Sequence, residues 1–373
     1  MNVEVAREPR PVQETRFGIV DCDIHPLPRK PEDITQFMSE RWRKHAAEYG
    51  NFFRQPFFAT TPYPRSQPYL SRRDAFPPNG APPGSDLDFM RAQLLDAYGV
   101  ECGMMQVLFP NGGDQRNLEY GAALCHAINE WQLAYFSDPE PRLKASCVVT
   151  QEDPTAAIKE IELRAGDRRF GQVFISPRTL EPLGRRRYRP VLEAVTANGF
   201  AVGLHSFGYN GHATQPGGPP SYYVEEHHSN VQSAQALITS LVMEGAFEDI
   251  PNLRVVIIEA GFGWAPMLAW RLDKLWARMR SEVPHVKRRP SEYIREHVWF
   301  TTQPMEEPER AGDLRRIFEW IGWERILFAT DYPHWDFDDP RTAIPIRLSE
   351  QERRMVFRDN AVALYGLQEM AAA

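Results

Sequence analysis

The sequence predicts a (β/α)8 barrel with an inserted cap after the first strand. Short apolar runs alternate with stretches of helical length along nearly the whole chain. The runs are rich in Val and Ile, as is typical of strands buried on both faces of a parallel sheet. There are eight such runs, which favours a closed barrel over an open sheet. The third observation is a segment rich in proline and aromatic residues, 50–84, which breaks the alternation.

The predicted strands and helices follow one another in chain order. The strands are predicted at 17–25, 102–109, 143–150, 170–176, 200–207, 253–260, 297–303 and 325–331. The helical segments between them include 86–100, 117–136, 154–166, 189–199 and 229–247. Asn198-Gly199 is a typical helix stop immediately before a strand.

Segment 50–84 is predicted to be a cap inserted into the barrel. Its prolines exclude a regular helix and would interrupt a strand ladder. Its aromatic content is too high for a disordered linker. We therefore expect a long insertion that packs over the barrel mouth.

The composition and net charge of the chain limit the classes of function it can have. With 42% hydrophobic and 25% charged residues, the 373-residue chain is ordinary globular protein and is treated as one barrel over 1–373. A net charge of −7 argues against nucleic acid as a partner. No run approaches the ~18 apolar residues that span a bilayer, and the polar amino terminus does not resemble a signal peptide. We therefore expect no membrane contact and a cytoplasmic location. The four cysteines contain no CxxC pair, which argues against a disulfide scaffold or a zinc ribbon.

Metal-ligand residue types stand at the ends of four predicted strands. Asp23 and His25 alternate at the end of the first strand, so both can face one cavity. His205 ends the fifth strand, Glu259 the sixth and Asp331 the eighth. In a barrel of this class the carboxyl ends of the strands form the active site. Each of these residues alone could be a structural hydrogen-bonding group, but unpaired carboxylates in apolar runs are costly. A shared cation removes that cost, and the pattern therefore predicts a metal site.

Further histidines lie beyond the strand ends. His227 and His228 stand at the start of a predicted helix, where consecutive side chains project ~100° apart, so only one of them can face the site. We favour His228 as a ligand and catalytic group. His334 follows the eighth strand and is either a ligand or a catalytic residue that faces the substrate.

Several motifs in order resemble those of the amidohydrolase superfamily, in the branch that contains aminocarboxymuconate-semialdehyde decarboxylase. They are the DxDxH start (Asp21, Asp23, His25), GLHSF around His205, PNLRVVIIEAG ending near Glu259, ILFATDYPH with Asp331, and DNAVALYGL at 359–367. The resemblance covers nearly the whole chain. It implies a metal-dependent barrel whose first ion is held by the strand-one pair, the strand-five His and the strand-eight Asp, here Asp23, His25, His205 and Asp331.

The chain departs from that family pattern at two positions. The strand-one pair of the family is commonly His-x-His, whereas here it is Asp23-x-His25. The strand-six position is commonly a His that acts as general acid/base, whereas here it is Glu259. A glutamate can also move a proton, so the departure changes the expected chemistry without removing it.

The number of candidate ligands distinguishes between a site for one metal ion and a site for two. One zinc ion takes about three or four protein ligands, and this chain offers six, to which His334 adds a seventh: Asp23, His25, His205, His228, Glu259 and Asp331. Such a set suits two ions bridged by a carboxylate, and imidazole with carboxylate favours Fe or Mn. A minority of this fold resembles dinuclear Fe/Mn monooxygenases.

We therefore predict an O2-dependent dinuclear Fe/Mn monooxygenase that hydroxylates a small organic substrate. Glu259, His228 and His334 are the predicted catalytic residues. The alternative is a mononuclear Zn or Mn decarboxylase or hydrolase of a small carboxylic acid, in which Glu259 handles the proton. A third class, a barrel that only supports a catalytic partner, would have lost its ligands. Assembly as a homo- or hetero-oligomer stays open.

Overall fold

The computed structural model describes residues 17–50, 66, 68–205 and 217–367, which contain eight parallel strands arranged in chain order around a barrel. The predicted (β/α)8 fold is confirmed. The strands are β1 (Ile19–Ile24), β2 (Val100–Met105), β3 (Leu143–Val148), β4 (Phe170–Ile175), β5 (Ala201–His205), β6 (Val255–Ile258), β7 (Val298–Thr301) and β8 (Ile326–Leu327).

The barrel closes between its first and last strands. The amide of Cys22 donates to the carbonyl of Phe328 at 2.9 Å, and the amide of His25 donates to the carbonyl of Tyr332 at 2.7 Å. Ile24 and Tyr332 form a parallel bridge. The carboxyl end of β1 therefore lies beside the segment that follows β8, although more than 300 residues separate them.

Helices surround the barrel and cover its outer face. They are α1 (Glu32–Thr35), α2 (Glu40–Tyr49), α3 (Leu87–Met90), α4 (Leu118–Gln132), α5 (Pro154–Arg164), α6 (Arg189–Ala197), α7 (Tyr223–Met243), α8 (Ala246–Asp249), α9 (Ala265–Arg278), α10 (Pro290–His297), α11 (Ala311–Ile321), α12 (Glu350–Arg354) and α13 (Asn360–Tyr365). No helix within the described ranges is both long enough and apolar enough to cross a membrane.

Two apolar layers hold these elements together. The larger layer lies between the sheet and the surrounding helices, which explains why the strands are buried on both faces. A smaller cluster inside the barrel joins Val20, Val256 and Leu327 to Leu364 of α13. The guanidinium of Arg254, just before β6, donates to the carbonyl of Leu364. Helix α13 therefore packs at the amino end of the barrel and leaves the carboxyl end for the site.

The regular elements differ from the predicted segments chiefly near that carboxyl end. The strand predicted at 325–331 pairs only as Ile326–Leu327, because the amide of Phe328 instead donates to the carbonyl of Val356. The helix predicted at 86–100 begins as α3 and continues as a π-helical turn over Arg91–Leu95. Such π turns are frequent at functional sites.

The predicted cap at 50–84 falls partly outside the described residues, which omit 51–65 and 67. Its remaining part, 68–84, contacts the loop that follows β8. Ser71 forms an antiparallel bridge with His334, and the amide of Trp335 donates to the carbonyl of Leu70 at 2.8 Å. That the whole segment acts as a cap stays a prediction.

Candidate metal centre and adjoining cavity

Five of the predicted site residues come together at the carboxyl ends of β1, β5, β6 and β8. Nε2 of His25 lies 3.1 Å from Oδ1 of Asp23 and 2.8 Å from Oδ1 of Asp331. Nε2 of His205 lies 3.0 Å from Oε2 of Glu259 and 3.6 Å from Oδ2 of Asp23. All five side chains are buried. The barrel geometry therefore brings residues from positions 23 to 331 within contact of one another.

The ring orientation of His25 is fixed by a backbone contact. Its Nδ1 lies 3.0 Å from the carbonyl oxygen of Gln106, which can only accept a hydrogen bond. Nδ1 therefore carries a proton, and in the neutral ring Nε2 presents its lone pair to Asp23 and Asp331. A backbone carbonyl on the far nitrogen is the usual support of a metal-binding imidazole.

The donor set fits a divalent cation. Both carboxylate oxygens of Asp23, Nε2 of His25 and Oε2 of Glu259 are buried, and no residue in the described ranges gives them a hydrogen bond of regular geometry. Lone pairs that face one another in this way repel unless a positive charge lies among them. Nitrogen and oxygen donors together suit Mn or Zn.

Two overlapping sets of side chains can contribute these ligands. The atoms within each set lie within 4.8 Å of one another; the sets are Asp23, His25, His205 and Glu259, and His25, Glu259, Asp331 and His334.

The pKa values of these side chains reflect the close packing of carboxylates and imidazoles in the cluster. Burial by itself would lower the pKa of His205, but the carboxylates of Asp23 and Glu259 raise it to about 9. Burial also opposes protonation of His25, but the charge of Asp23 and the hydrogen bonds to Asp23 and Asp331 together raise its pKa. Burial opposes ionisation of Asp23, yet the two imidazoles hold its pKa below the usual value. The pocket thus favours added positive charge, whether protons or a metal ion.

Two of the carboxylates stand on strained backbone. Glu259 has φ of 51° and Asp331 has φ of 61°, the left-handed region that non-glycine residues rarely adopt. Strain of this kind persists only where surrounding contacts impose it, and it concentrates at functional sites.

Hydrogen bonds to neighbouring buried groups hold both strained turns. Oε1 of Glu306 accepts from the amides of Phe262 and Gly263 at 2.8 Å each, which fixes the turn after Glu259. Asp21 accepts from the amide of Thr330 at 2.9 Å and from its hydroxyl at 2.5 Å, directly before Asp331. Asp21 and Glu306 therefore position ligand candidates without belonging to either ligand set.

The choice between the paired histidines falls on His227, not on His228 as we predicted. Nε2 of His227 lies 3.2 Å from Oδ2 of Asp336 and 3.7 Å from Oε1 of Glu259, whereas His228 is exposed. His227 stands three residues before the buried Asn230 and seven before the buried Ala234, on the inward face of α7, and His228 is rotated ~100° from it. The assignment of His228 as ligand and catalytic group is therefore corrected.

Asp336 is a site residue that the sequence analysis missed. Its only sequence signal was its place two residues after His334, in the polar turn that follows β8. Asp336 Oδ2 also accepts from the side-chain amide of Gln303 at 2.9 Å. It therefore links the end of β7 to His227 and the cluster.

His334 lies between the cluster and a larger space. Its ring stacks on that of His25 with centroids 4.2 Å apart, and its Nδ1 lies 2.6 Å from Oδ1 of Asp331. Burial lowers the pKa of His334, so its ring is neutral more readily than that of a free histidine. With Nδ1 engaged by a carboxylate, Nε2 is the nitrogen that can serve a bound molecule.

A cavity of about 500 Å³ adjoins the cluster at His25 and His334. Its described wall is mostly aliphatic and proline side chains. Most come from the loop after β1, helix α1, residues 69–71 and the loop after β2, and the others are Pro82, Leu124 of α4 and Pro333 beside His334. A smaller pocket, lined among others by His227, Glu259 and Asp336, shares Leu70, Leu108 and His334 with it. This larger cavity had no signal in the sequence, because its wall is assembled from separate loops.

Two solved structures resemble this fold closely. The 5-carboxyvanillate decarboxylase of Novosphingobium aromaticivorans, with bound manganese and 4-hydroxy-3-methoxy-5-nitrobenzoic acid, has a TM-score of 0.71 and 17% identity over 97% of this chain and 100% of its own. The dihydroxybenzoic acid decarboxylase of Polaromonas sp. JS666, with bound manganese and the inhibitor 2-nitroresorcinol, has a TM-score of 0.64 and 20% identity over 94% of this chain and 97% of its own. At these identities the likeness shows the fold.

Two curated relatives have a sequence identity to this chain of about one quarter. The gamma-resorcylate decarboxylase of Rhizobium sp. strain MTP-10005 is 25% identical over 300 residues, covering 76% of this chain and 88% of its own. The gamma-resorcylate decarboxylase of Rhodococcus jostii strain RHA1 is 24% identical over 303 residues, with the same coverage of both chains.

These relatives overturn the predicted monooxygenase. They are decarboxylases, and they agree with the alternative activity that the sequence analysis kept open. The preference for iron loses its basis with the oxygenase, while a divalent metal agrees with the donor set and with the manganese in both solved relatives. Ligand number did not identify the reaction, because the same oxygen and nitrogen donors can hold a metal for either chemistry.

The family resemblance itself is confirmed. The family described as amidohydrolase matches residues 20–367, from the second residue of β1 to two residues beyond α13. Because this match covers nearly the whole chain, the protein belongs to the amidohydrolase family.

Proposed function

We propose that this protein is a metal-dependent decarboxylase of an aromatic carboxylic acid. The observation that carries the proposal is that an apolar cavity ends at His25 and His334, beside a cluster suited to a divalent cation. An apolar wall fits a ring, and a cation fits a carboxylate. The relatives named above, which act on aromatic acids, support the same class of substrate.

The proposed ligands are the strand-end residues. Asp23, His25, His205 and Asp331 would hold a divalent ion, manganese in the first instance, and Glu259 lies close enough to join them. When bound, the ion would fix the oxygens of the acid and neutralise their charge. Whether the site holds one ion or two is a question of stoichiometry that elemental analysis answers.

The chain's own residues would orient the ring and deliver a proton. In the reaction the bond from the ring carbon to the carboxylate breaks, CO2 leaves, and a proton takes its place on the ring. No oxidant or reductant is consumed. We assign the delivery to Nε2 of His334, because that ring lines the cavity while its Nδ1–H is held by Asp331. Nε2 would first take a proton from solvent, which gives the imidazolium, and would then pass that proton to the ring carbon. The aliphatic wall would exclude water from the reacting carbon.

We also propose that residues 50–84 cap this site. Support comes from the described part of the segment, since Leu70 and Ser71 contact the loop that carries His334. Leu70 lines both cavities. A cap here would shield the reaction in the way lids commonly do.

The test is release of labelled CO2 by manganese-loaded protein from carboxyl-13C-labelled 2,6-dihydroxybenzoate and 2-hydroxybenzoate. We expect release that EDTA abolishes and Mn²⁺ restores. His334→Gln should lower kcat by about 100-fold or more, the range of one general acid. His228→Gln is the matched control, because its ring is exposed, and it should keep full activity.

Two results would contradict the proposal. Release of CO2 that is unaffected by EDTA would remove the metal from the mechanism. Equal activity of the His334 and His228 variants would remove His334 as the proton donor.

A further inference from the structure

The cavity beside the cluster is much larger than one aromatic ring requires. An engineered protein cavity of about 150 Å³ is enough to bind benzene. The cavity here is about 500 Å³, roughly three times that size, and lies within the range of pockets that take drug-sized ligands. A single-ring acid held at the cluster would leave most of this space unfilled by ligand.

The wall of the cavity is apolar away from the cluster. Beyond His25 and His334, its described lining includes Leu27, Ile34 and Leu124 together with several prolines. Leu124 and Ile34 are fully buried. The uncharged polar side chains of the lining are Thr35, Tyr69 and Ser71, and the hydroxyl of Ser71 already donates to the carbonyl of Tyr69. Such a wall offers few partners for polar substituents, so it favours a ligand whose inner part is mostly hydrocarbon.

The charged residues of the lining stand at its solvent edge. The guanidinium of Arg29 donates to Asp86 at 3.0 Å and to the carbonyl of Ser85 at 3.3 Å, so its charge is already compensated. Lys30 is exposed. The charged end of a ligand therefore fits best at the metal cluster and not at this solvent edge.

Leu70 and Leu108 line both the large cavity and the small pocket beside Glu259. Tyr69 and Leu70 have φ of 57° and 56°, and together with Glu259 and Asp331 they are the non-glycine residues of the described ranges with positive φ. The strained backbone of this segment places Leu70 where a ligand would pass from the apolar wall to the cluster.

We infer that the substrate is a carboxylic acid whose apolar body contains at least two fused or linked rings, with the carboxylate at the cluster and the second ring in the cavity between α1 and residues 69–71. This inference rests on the proposed function for the reacting end of the molecule. It adds that the other end of the substrate is large and apolar, whereas the acids named for the relatives have a single ring.

The first test measures the affinity of a ligand series for the manganese-loaded full chain by calorimetry. Benzoate, 2-naphthoate and biphenyl-4-carboxylate differ in ring number and lack the hydroxyl groups of the relatives' substrates. A second ring that moves from water into an apolar wall should tighten binding about tenfold. Equal affinity for benzoate and both larger acids, or no binding of the larger acids, overturns the inference.

A second test fills the cavity from helix α1. Thr35 lines it and is half-buried, whereas Glu32 on the same helix is exposed and is not in the described lining. Thr35→Trp should weaken binding of the two larger acids about tenfold more than binding of benzoate, which removes the preference. Glu32→Trp adds the same side chain outside the cavity and should keep the preference. If both variants behave alike, the second ring does not occupy this space.

Turnover separates this inference from the proposed function. The probes are carboxyl-13C-labelled 2-hydroxybenzoate and 3-hydroxy-2-naphthoate. A clear preference in binding with no CO2 from either acid would contradict the decarboxylase and support the ring-size inference. CO2 from the single-ring acid with no preference in binding would support the decarboxylase and overturn the ring-size inference.

Discussion

Replacement of Asp23 by Asn should weaken metal binding while changing the shape of the site very little. Asp23 is fully buried, and its two oxygens face Nε2 of His25 at 3.1 Å and Nε2 of His205 at 3.6 Å. Asn keeps the size of the side chain but removes its negative charge and one oxygen lone-pair donor. The substitution should therefore weaken metal binding without disturbing the packing of the site.

The magnitude follows from the number of ligands. In structural zinc sites four ligands share an apparent binding free energy of ~10–16 kcal/mol, or roughly 3 kcal/mol each. A loss of that size for Mn²⁺ here corresponds to ~100-fold in dissociation constant. At a Mn²⁺ concentration of 1,000 times the wild-type dissociation constant, the metal stabilises the wild type by ~4 kcal/mol. At the same concentration the variant should gain only ~1.4 kcal/mol. With an unfolding entropy of ~2.1 cal/mol/K per residue, the metal-induced rise in Tm should drop from roughly 5 °C to roughly 2 °C.

The assay is thermal unfolding of each protein without metal and at that fixed Mn²⁺ concentration, with bound metal counted by elemental analysis. Asp88→Asn is the matched control, because its carboxylate is 90% exposed and pairs with Arg91 at the surface. The control should keep the full metal-induced rise. A rise in Asp23→Asn within about 1 °C of the wild type would refute the assignment of Asp23 as a ligand.

Three further predictions concern the support of the site, the rest of the barrel and the cap. Glu306→Ala leaves the amides of the buried Phe262 and the half-buried Gly263 without this acceptor, and should lower the free energy of unfolding by about 2–4 kcal/mol. Glu306→Gln keeps an acceptor and should lose less than about 1 kcal/mol; equal losses in urea unfolding would contradict this. The pKa of Glu140 is lowered from 4.5 to about 2, and the largest cause is its hydrogen bonds from Arg142. The ionised carboxylate therefore stabilises the fold fully above about pH 4.5, and this contribution is lost as the pH falls towards 2. Since Arg142 is one-third exposed, we expect ~1–2 kcal/mol, visible as a flatter pH dependence of unfolding in Glu140→Gln; an unchanged slope would contradict it. Trypsin should cut within 50–84 more slowly when Mn²⁺ and an aromatic acid are bound, and equal rates with and without them would argue against a cap.

The strand-end residues could be anticipated because the barrel itself determines where they go. A parallel barrel places the carboxyl ends of all its strands at one rim, so local recognition of each strand is enough to gather Asp23, His205, Glu259 and Asp331. Glu259 and Asp331 lie one and four residues beyond the ends of β6 and β8, and the turns held by Glu306 and Asp21 complete their placement. The same reasoning says nothing about which ion binds or which reaction follows.

The errors concern residues and spaces beyond the strand ends. His227 faces the cluster because it continues the face of α7 that carries the buried Asn230 and Ala234, and His228 is rotated ~100° from that face. The large cavity depends on the pairing of Ser71 with His334, more than 260 positions apart, which no local pattern reports. The choice of a monooxygenase treated every nearby donor as a simultaneous ligand, although such a group can instead position a neighbour or carry a proton.

If the substrate is an anionic acid, as proposed, the charge of the cluster couples metal binding to substrate binding. Asp23, Glu259 and Asp331 surround the imidazoles of His25 and His205 in a buried space. With neutral imidazoles and ionised carboxylates the space would carry three negative charges, and an incoming carboxylate would add a fourth. A divalent cation lowers this repulsion, so the acid must bind the metal-loaded chain more tightly than the metal-free chain, and by linkage the acid must tighten the metal by the same factor. Glu259, which stands where the resembled family commonly has a histidine, strengthens this coupling, because its added negative charge makes binding of an anionic substrate more dependent on the cation.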